Sequence, residues 1–250
     1  MKKTLALLVL LCVSWLTQAA GVNPRTYIPE KAYALLPIFY TETLRLMPTI
    51  PEPAYFGALA EQESCISLRH SRCMSPTSRL LTAREDGQGL FQITRAYRTD
   101  GSVRFDSLAE MRHRYMEELK ELSWTNVAQR PDLQIRTAIL MIRENTTRLA
   151  GVKDPENRLQ MADAAYNGGI GGTIKERTAC GLAKGCDPQI WFGHVEAYCM
   201  KSKKKLYGDR SACDINREHP KTLFQIRLAK YQRHYASWRA QHPTLQGNPR

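Results

Sequence analysis

Three short stretches of the 250-residue chain hold side chains that could do chemistry together. They are Glu63-Ser64 at the end of the run Ala58 to Cys65, the turn Gly89-Leu90-Phe91-Gln92, and the run Ala165-Tyr166-Asn167-Gly168-Gly169. Breaking a glycosidic bond requires a proton for the leaving oxygen, and a glutamic acid supplies it where burial disfavours the charged form. Glu63 follows Ala58, Leu59 and Ala60, and its next neighbours, Ser64 and Cys65, are uncharged. Glu61, two residues earlier, projects from another side of a helix and is the weaker candidate. The plain alternative for Glu63 is a solvated acid at a helix end. Gln92, Tyr166 and Asn167 add two carboxamides and a phenol, groups suited to gripping sugar hydroxyls. The glycines at 89, 168 and 169 let backbone approach a ligand closely, because they lack a Cβ.

These groups need elements to position them. Tyr55, Phe56, Leu59 and Ala60 predict a short amphipathic helix from Pro53 to Glu63. Ahead of it the chain is proline-rich, with a helix expected between Ala32 and Leu46 and a kink at Pro37. Residues 67–84 read as an irregular basic loop, and Gly87 and Gly89 as a turn. A helix is expected from Ser107 to Leu122, opened by a Ser107-x-x-Glu110 capping box. Another should run from Pro131 to Leu149, with proline in its first turn and Gly151 past its end. Its apolar middle (Ile135, Ala138 to Ile142) marks it as buried. Glu156 to Tyr166 reads as a further helix, residues 173–188 as a cysteine-bearing loop, and Gln189 to Lys201 as helical. Phe224, Leu228, Tyr231, Tyr235 and Trp238 follow a four-three-four-three spacing, the mark of a long amphipathic helix whose stripe packs into a core. No strand alternation extends beyond a few residues, so the fold class expected is mainly α.

The N-terminus reads as a secretory signal peptide: Met1-Lys2-Lys3, an apolar run from Leu5 to Leu16, then Thr17-Gln18-Ala19-Ala20. Cleavage is expected after Ala19, with Ala20 as the alternative. A lipid-attachment role for Cys12 is a rival that Leu11, standing where a small residue is expected, weakens. The apolar run is short for a membrane span, and no later stretch has the length of one, so stable membrane insertion is not expected. Beyond Cys12 there are six cysteines: Cys65, Cys73, Cys180, Cys186, Cys199 and Cys213. An even number in an oxidising compartment implies three disulfides, with nearest-neighbour pairing favoured. A zinc site on Cys65, His70 and Cys73, or on His194 and Cys199, lacks the paired Cys-x-x-Cys spacing. Loss of Lys2 and Lys3 takes the formal charge from +12 to +10. Export argues against a nucleic-acid partner, and the charge suits an anionic polymer such as bacterial wall glycan with its acidic peptides, or a membrane surface. The run Lys201-Ser202-Lys203-Lys204-Lys205 could touch such a polymer or be a solvated loop.

In motif order the chain resembles the soluble-type lytic transglycosylases of the lysozyme-like superfamily. Their Glu-Ser pair at a helix end is Glu63-Ser64 here, their Gly-Leu-Met-Gln turn is Gly89-Leu90-Phe91-Gln92, and their Ala-Tyr-Asn-Ala-Gly run is Ala165-Tyr166-Asn167-Gly168-Gly169. The similarity covers Pro53 to Gly172, about half the chain. The organisation it implies is a signal peptide (1–19), an N-terminal segment (20–52), a lysozyme-like helical domain (53–175) and a disulfide-braced helical extension packing on it (176–250). Glu63 would be the single catalytic acid/base, cleaving between N-acetylmuramic acid and N-acetylglucosamine and closing a 1,6-anhydro ring without water. Ser64 would shape the turn behind it, and Gln92, Tyr166 and Asn167 would hold the glycan. No metal or organic cofactor is implied. The implied partners are peptidoglycan strands and a conjugation, secretion or phage assembly that needs holes in the wall.

The chain departs from that pattern in a longer stretch between Glu63 and Gly89, read as a cleft lip tied by Cys65 and Cys73. It also carries Phe91 for methionine, Gly168 for alanine, Ile170 for proline and Gln88 for an alanine before the turn. Tyr198, Trp191 and His219 are candidates for an aromatic group that the last part of the chain brings to the cleft. Goose-type lysozymes place an acid near the same turn to activate water, which makes Asp86 a candidate second acid for hydrolysis. The alternative is that Arg84-Glu85-Asp86 is a solvated turn. A glycan-binding assembly protein without turnover is a third reading, against which Glu63, Gln92, Tyr166 and Asn167 count. No Gly-x-Ser-x-Gly elbow, His-Glu-x-x-His motif or phosphate loop is present.

Overall fold

The computed structural model describes residues 22–244, so the expected signal peptide at 1–19 lies outside the described residues. The fold is mainly helical, in the order α1 (Leu36–Leu46), α2 (Tyr55–Ser64), α3 (Ser107–Arg114), α4 (Met116–Leu119), α5 (Pro131–Arg148), α6 (Pro155–Gly168), α7 (Ile170–Leu182), α8 (Ala212–Thr222) and α9 (Leu228–Gln241). A single π-helical stretch, Leu223–Arg227, joins the last two. Pro220 lies inside α8, where it has no N–H to give the helix, just ahead of that widened turn.

The central helix α5 buries Leu133, Ile135, Ala138, Ile139, Leu140 and Ile142. Around it, one continuous apolar core draws on Phe39 and Tyr40 of α1, Tyr55, Phe56 and Leu59 of α2, and Tyr231 and Trp238 of α9. The aromatic stripe of α9 is therefore core packing, with Tyr40 contacting the rings of both Tyr235 and Trp238. Burial of such large side chains is worth about 1.5–3 kcal/mol each, which is why the first and last described helices are held to the middle of the chain.

Several local expectations need correction. Pro37 opens α1 instead of kinking it, since the first turn of a helix does not use the missing N–H. The helix expected from Ser107 to Leu122 breaks at Tyr115, and its cap is Asp106, whose Oδ1 accepts the Ala109 N–H at 2.9 Å. Ser107 is used elsewhere: its hydroxyl donates to the Thr94 carbonyl at 2.6 Å and accepts from the Thr94 N–H at 3.0 Å. Residues 170–182, read as largely loop, form α7, and Cys180 on it packs against buried Trp191 and Val195 in a second small core. The stretch 189–201 is a series of turns with a short 3-10 segment, Val195–Ala197; Gly193 there takes a positive φ of 77°.

Residues 79–106 form an antiparallel meander of β1 (Arg79–Leu81), β2 (Glu85–Gln88), β3 (Ile93–Tyr97) and β4 (Val103–Asp106), hydrogen-bonded in that order. Its register sets Leu80 opposite Gly87, and Gly87 opposite Thr94. Its strands are three to five residues long, and β1 is exposed along its length, so no apolar alternation marks them. A small ribbon of β5 (Lys205–Tyr207) and β6 (Arg210–Ser211) precedes α8. The six cysteines pair as nearest neighbours, Cys65–Cys73, Cys180–Cys186 and Cys199–Cys213. Among the described residues no helix is long and apolar enough to cross a membrane.

Candidate functional site

The helical period places Tyr55, Leu59 and Glu63 on one face of α2. Tyr55 and Leu59 are buried in the core, and the end of that face brings Glu63 to a cleft of about 630 Å³ between the helices and the meander, lined by Glu63, Ser64, Gln92, Thr94, Tyr166 and Asn167 among others. The five residues expected from the three motifs thus share one cavity. Its rim is basic, with Arg72, Arg79, Arg84 and Lys201, and Glu85 is a second carboxylate on the wall. The Glu63 side chain is 15% exposed, which puts it at the floor and not in bulk solvent.

Each motif is held by specific bonds. Ser64 is buried; its hydroxyl donates to the Ala60 carbonyl at 2.6 Å and accepts the Met74 N–H at 3.0 Å, tying the end of α2 to the chain just beyond the Cys65–Cys73 loop. The Tyr166 hydroxyl donates to the Phe91 carbonyl at 2.7 Å, so α6 is pinned to the Gly-Leu-Phe-Gln turn. Burial, reinforced by the charges of Glu63 and Asp163, pushes the Tyr166 phenol well above its usual range. Gln92 has a positive φ of 47°, a strained backbone for a residue with a side chain, and its amide donates to the Gly89 carbonyl at 2.9 Å. Asn167 is exposed at the rim, and its Oδ1 accepts from Asn216 Nδ2 at 3.1 Å. Gly89 has φ of 83°, and a Cβ there would overlap the carboxamide of Gln134, so the turn admits little but glycine.

Glu61 is fully buried on another side of α2, where Arg227, Lys230 and the Tyr231 hydroxyl all bond its carboxylate. Its role is to bind α9 and the π-helical stretch to α2. Asp86 forms a two-point ion pair with Arg79, at 2.7 and 2.9 Å, and accepts from Gln88 at 3.0 Å. Those hydrogen bonds, Arg79's foremost, hold its carboxyl below the usual range. Asp86 is not among the cleft-lining residues, because the strand period turns it away from the side on which Glu85 and Gly87 face the cavity.

Behind Glu63 lies a chain of buried polar groups that no motif announced. His219 Nε2 is 2.8 Å from Glu63 Oε1, and His219 Nδ1 is 2.8 Å from Asp163 Oδ2. The Tyr55 hydroxyl donates to Asp163 Oδ1 at 2.6 Å. Burial works against a charged His219, but the carboxylates of Asp163 and Glu63 outweigh it and push the imidazole up to about 10. At neutral pH both ring nitrogens therefore donate, one to each acid. Sequence reasoning expected burial alone to set the state of Glu63; the structure sets a cation against it.

Comparison with family models, curated proteins and solved structures finds no match for this chain.

Of the three aromatic candidates from the last part of the chain, His219 reaches Glu63, whereas Trp191 and Tyr198 belong to the second core. Asp163 had a legible signal: it is an acid set among Met161, Ala162, Ala164 and Ala165, and it lies three and four residues before Tyr166 and Asn167, on their face of α6. His219 was one of three candidates and nothing in its local sequence set it above the others; it lies behind the cleft lining, on the side of α8 where Ala212 and Ile215 line the cleft and Asn216 donates to the Ala164 carbonyl at 2.8 Å.

Proposed function

We propose that the protein is a peptidoglycan lytic transglycosylase in which Glu63 is the acid and then the base. The observation that carries this reading is the convergence of Glu63, Gln92, Tyr166 and Asn167, from three separated motifs, on one cleft with the carboxyl at its floor. In the first step Glu63 gives a proton to the oxygen bridging N-acetylmuramic acid and N-acetylglucosamine, and the bond from the muramyl C1 to that oxygen breaks. The substrate's 2-acetamido group stabilises the cation, so no second carboxylate is required. In the second step Glu63 takes the proton of the muramyl 6-hydroxyl as that oxygen bonds C1, closing the anhydro ring. The basic rim suits a glycan that carries acidic peptides. Three disulfides and the expected signal peptide fit an exported protein that acts on the wall. The parent system would be one that opens local holes, such as conjugation, secretion or a phage.

A hydrolytic reading has one observation in its favour, and it concerns Glu85, not Asp86: Glu85 is the second carboxylate lining the cleft. In that reading it would activate water on the far side of the sugar from Glu63. Digesting purified sacculi with wild-type protein and with Glu63→Gln tests both readings. Anhydro-ended fragments from the wild type alone support ring closure, new reducing ends support hydrolysis, and an unimpaired Glu63→Gln variant would remove Glu63 from either.

A further inference from the structure

We propose that His219 is a positioning residue that stores the proton Glu63 delivers, and that Asp163 and Tyr55 hold its ring in the orientation that can pass it on. The inference rests on Glu63 being the acid of the cleft, and it adds a group that never touches sugar. His219 is 4% exposed and is absent from the cleft lining, so it acts through Glu63.

The arrangement has one direction. Tyr55 on α2 donates to Asp163 Oδ1, which leaves Asp163 Oδ2 to accept from His219 Nδ1. A ring anchored at Nδ1 directs Nε2 at Glu63 Oε1. The titratable groups that act on the imidazole are Glu63 from α2 and Asp163 from α6; Tyr55 and Tyr166, beside those two acids, stay protonated, their phenols pushed well above the usual range by burial and by the acids. One mobile proton is then shared between Nε2 and Glu63. In the open cleft it resides on nitrogen, because the His219 ring holds its proton up to about 10. A glycan that fills the cleft removes water from this ion pair, and desolvation favours the neutral partners. The Nε2–H bond breaks and an O–H bond forms on Glu63; imidazolium becomes imidazole, carboxylate becomes carboxylic acid, and no electrons change hands. Rotation about the Glu63 Cγ–Cδ bond exchanges its oxygens and turns the proton to the cleft. After the glycosidic oxygen takes it, the 6-hydroxyl returns a proton to Glu63, and the pair is restored.

The imidazolium keeps its proton up to about 10, so the store beside Glu63 stays filled through neutral pH. The test is the pH profile of kcat and KM on soluble wall fragments for the wild type and His219→Gln, a variant that keeps an N–H donor but cannot titrate. The proposal expects KM to hold and kcat to fall by about 100-fold near neutral pH, with a smaller deficit, within about tenfold, at acid pH, where solvent supplies the proton that the ring otherwise stores. A loss of the same factor at every pH, or no loss, would overturn it. Nitrogen NMR of the wild-type histidines gives a readout that does not depend on the variant folding. His219 protonated on both nitrogens at about pH 8 supports the proposal, and a neutral ring at about pH 7 overturns it. Activity retained in Glu63→Gln would sink the underlying reading instead, whatever His219 does.

Discussion

The carboxamide of Gln134, buried on α5, accepts the backbone N–H of Leu90 at 2.8 Å and so fixes the turn that carries Gln92. Its Nε2 donates to the carbonyls of Pro76, at 3.0 Å, and Val127. One side chain thus ties the central helix to the turn at Leu90 and to the chain at Pro76 and Val127. Gln134→Leu strips partners from three backbone groups at once and should cost about 2–3 kcal/mol, since buried polar groups left unpaired carry most of that penalty. Urea unfolding measures it directly, and a loss under about 0.5 kcal/mol, the ordinary range for surface changes, would show that the turn is held by other means.

The surroundings of Gly168 leave no room for a side chain. A Cβ there would overlap Lys201 Cε and lie 2.6 Å from Asn216 Nδ2. Lys201 can swing away, but Asn216 is buried and bonded to both Ala164 and Asn167. Gly168→Ala should therefore destabilise by about 1–3 kcal/mol, the usual range for overpacking. It should also raise KM by moving Asn167. Unchanged stability and KM would mean that Asn216 gives way freely.

Legibility in the sequence followed the length and character of each element. α5 could be read because Pro131 opens it and a long apolar run fills it; α2 could be read from its aromatic and aliphatic face. The meander could not, since exposed strands such as Arg79–Leu81 have no buried face to pattern them. α7 was obscured by Gly171, Gly172, Gly181 and Cys180, which mimic loop composition, while burial of Cys180 against Trp191 stabilises the helix in place. The motif residues of the cleft lie on three local runs and could be found. His219 is separated from Glu63 by 156 positions, and only the packing of α8 on α6 brings them together. Nothing in local spacing encodes such a meeting.

Stability should depend on pH through the same histidine. His219 binds its proton more tightly in the folded chain, at about 10, than at its ordinary value of 6.5. The stabilisation is then complete below about 6.5 and is lost as pH rises through about 10. Urea unfolding at about pH 6, 8 and 10 should show a decline in the wild type that is shallower in His219→Gln. Comparing the two removes what tyrosines and lysines titrating in the same range contribute. Parallel curves would contradict the buried ion pair.

The Cys65–Cys73 bridge closes the lip beside Glu63, with a sequence separation of 8. A loop that short contributes about 2–3 kcal/mol by chain entropy. Replacing both cysteines by serine should lower stability by that order and reduce wall cleavage by loosening the Met74 bond to Ser64. Full activity with the expected loss of stability would separate the lip from the chemistry.

The most direct test of the central claim is mass spectrometry of the fragments released from purified sacculi by wild type, Glu63→Gln and Glu85→Gln. The account predicts muramyl ends lighter by one water, formed by the wild type and by Glu85→Gln and lost in Glu63→Gln by a factor of about 100 or more. Reducing muramyl ends that disappear in Glu85→Gln, or fragments that persist undiminished without the Glu63 carboxyl, would contradict it.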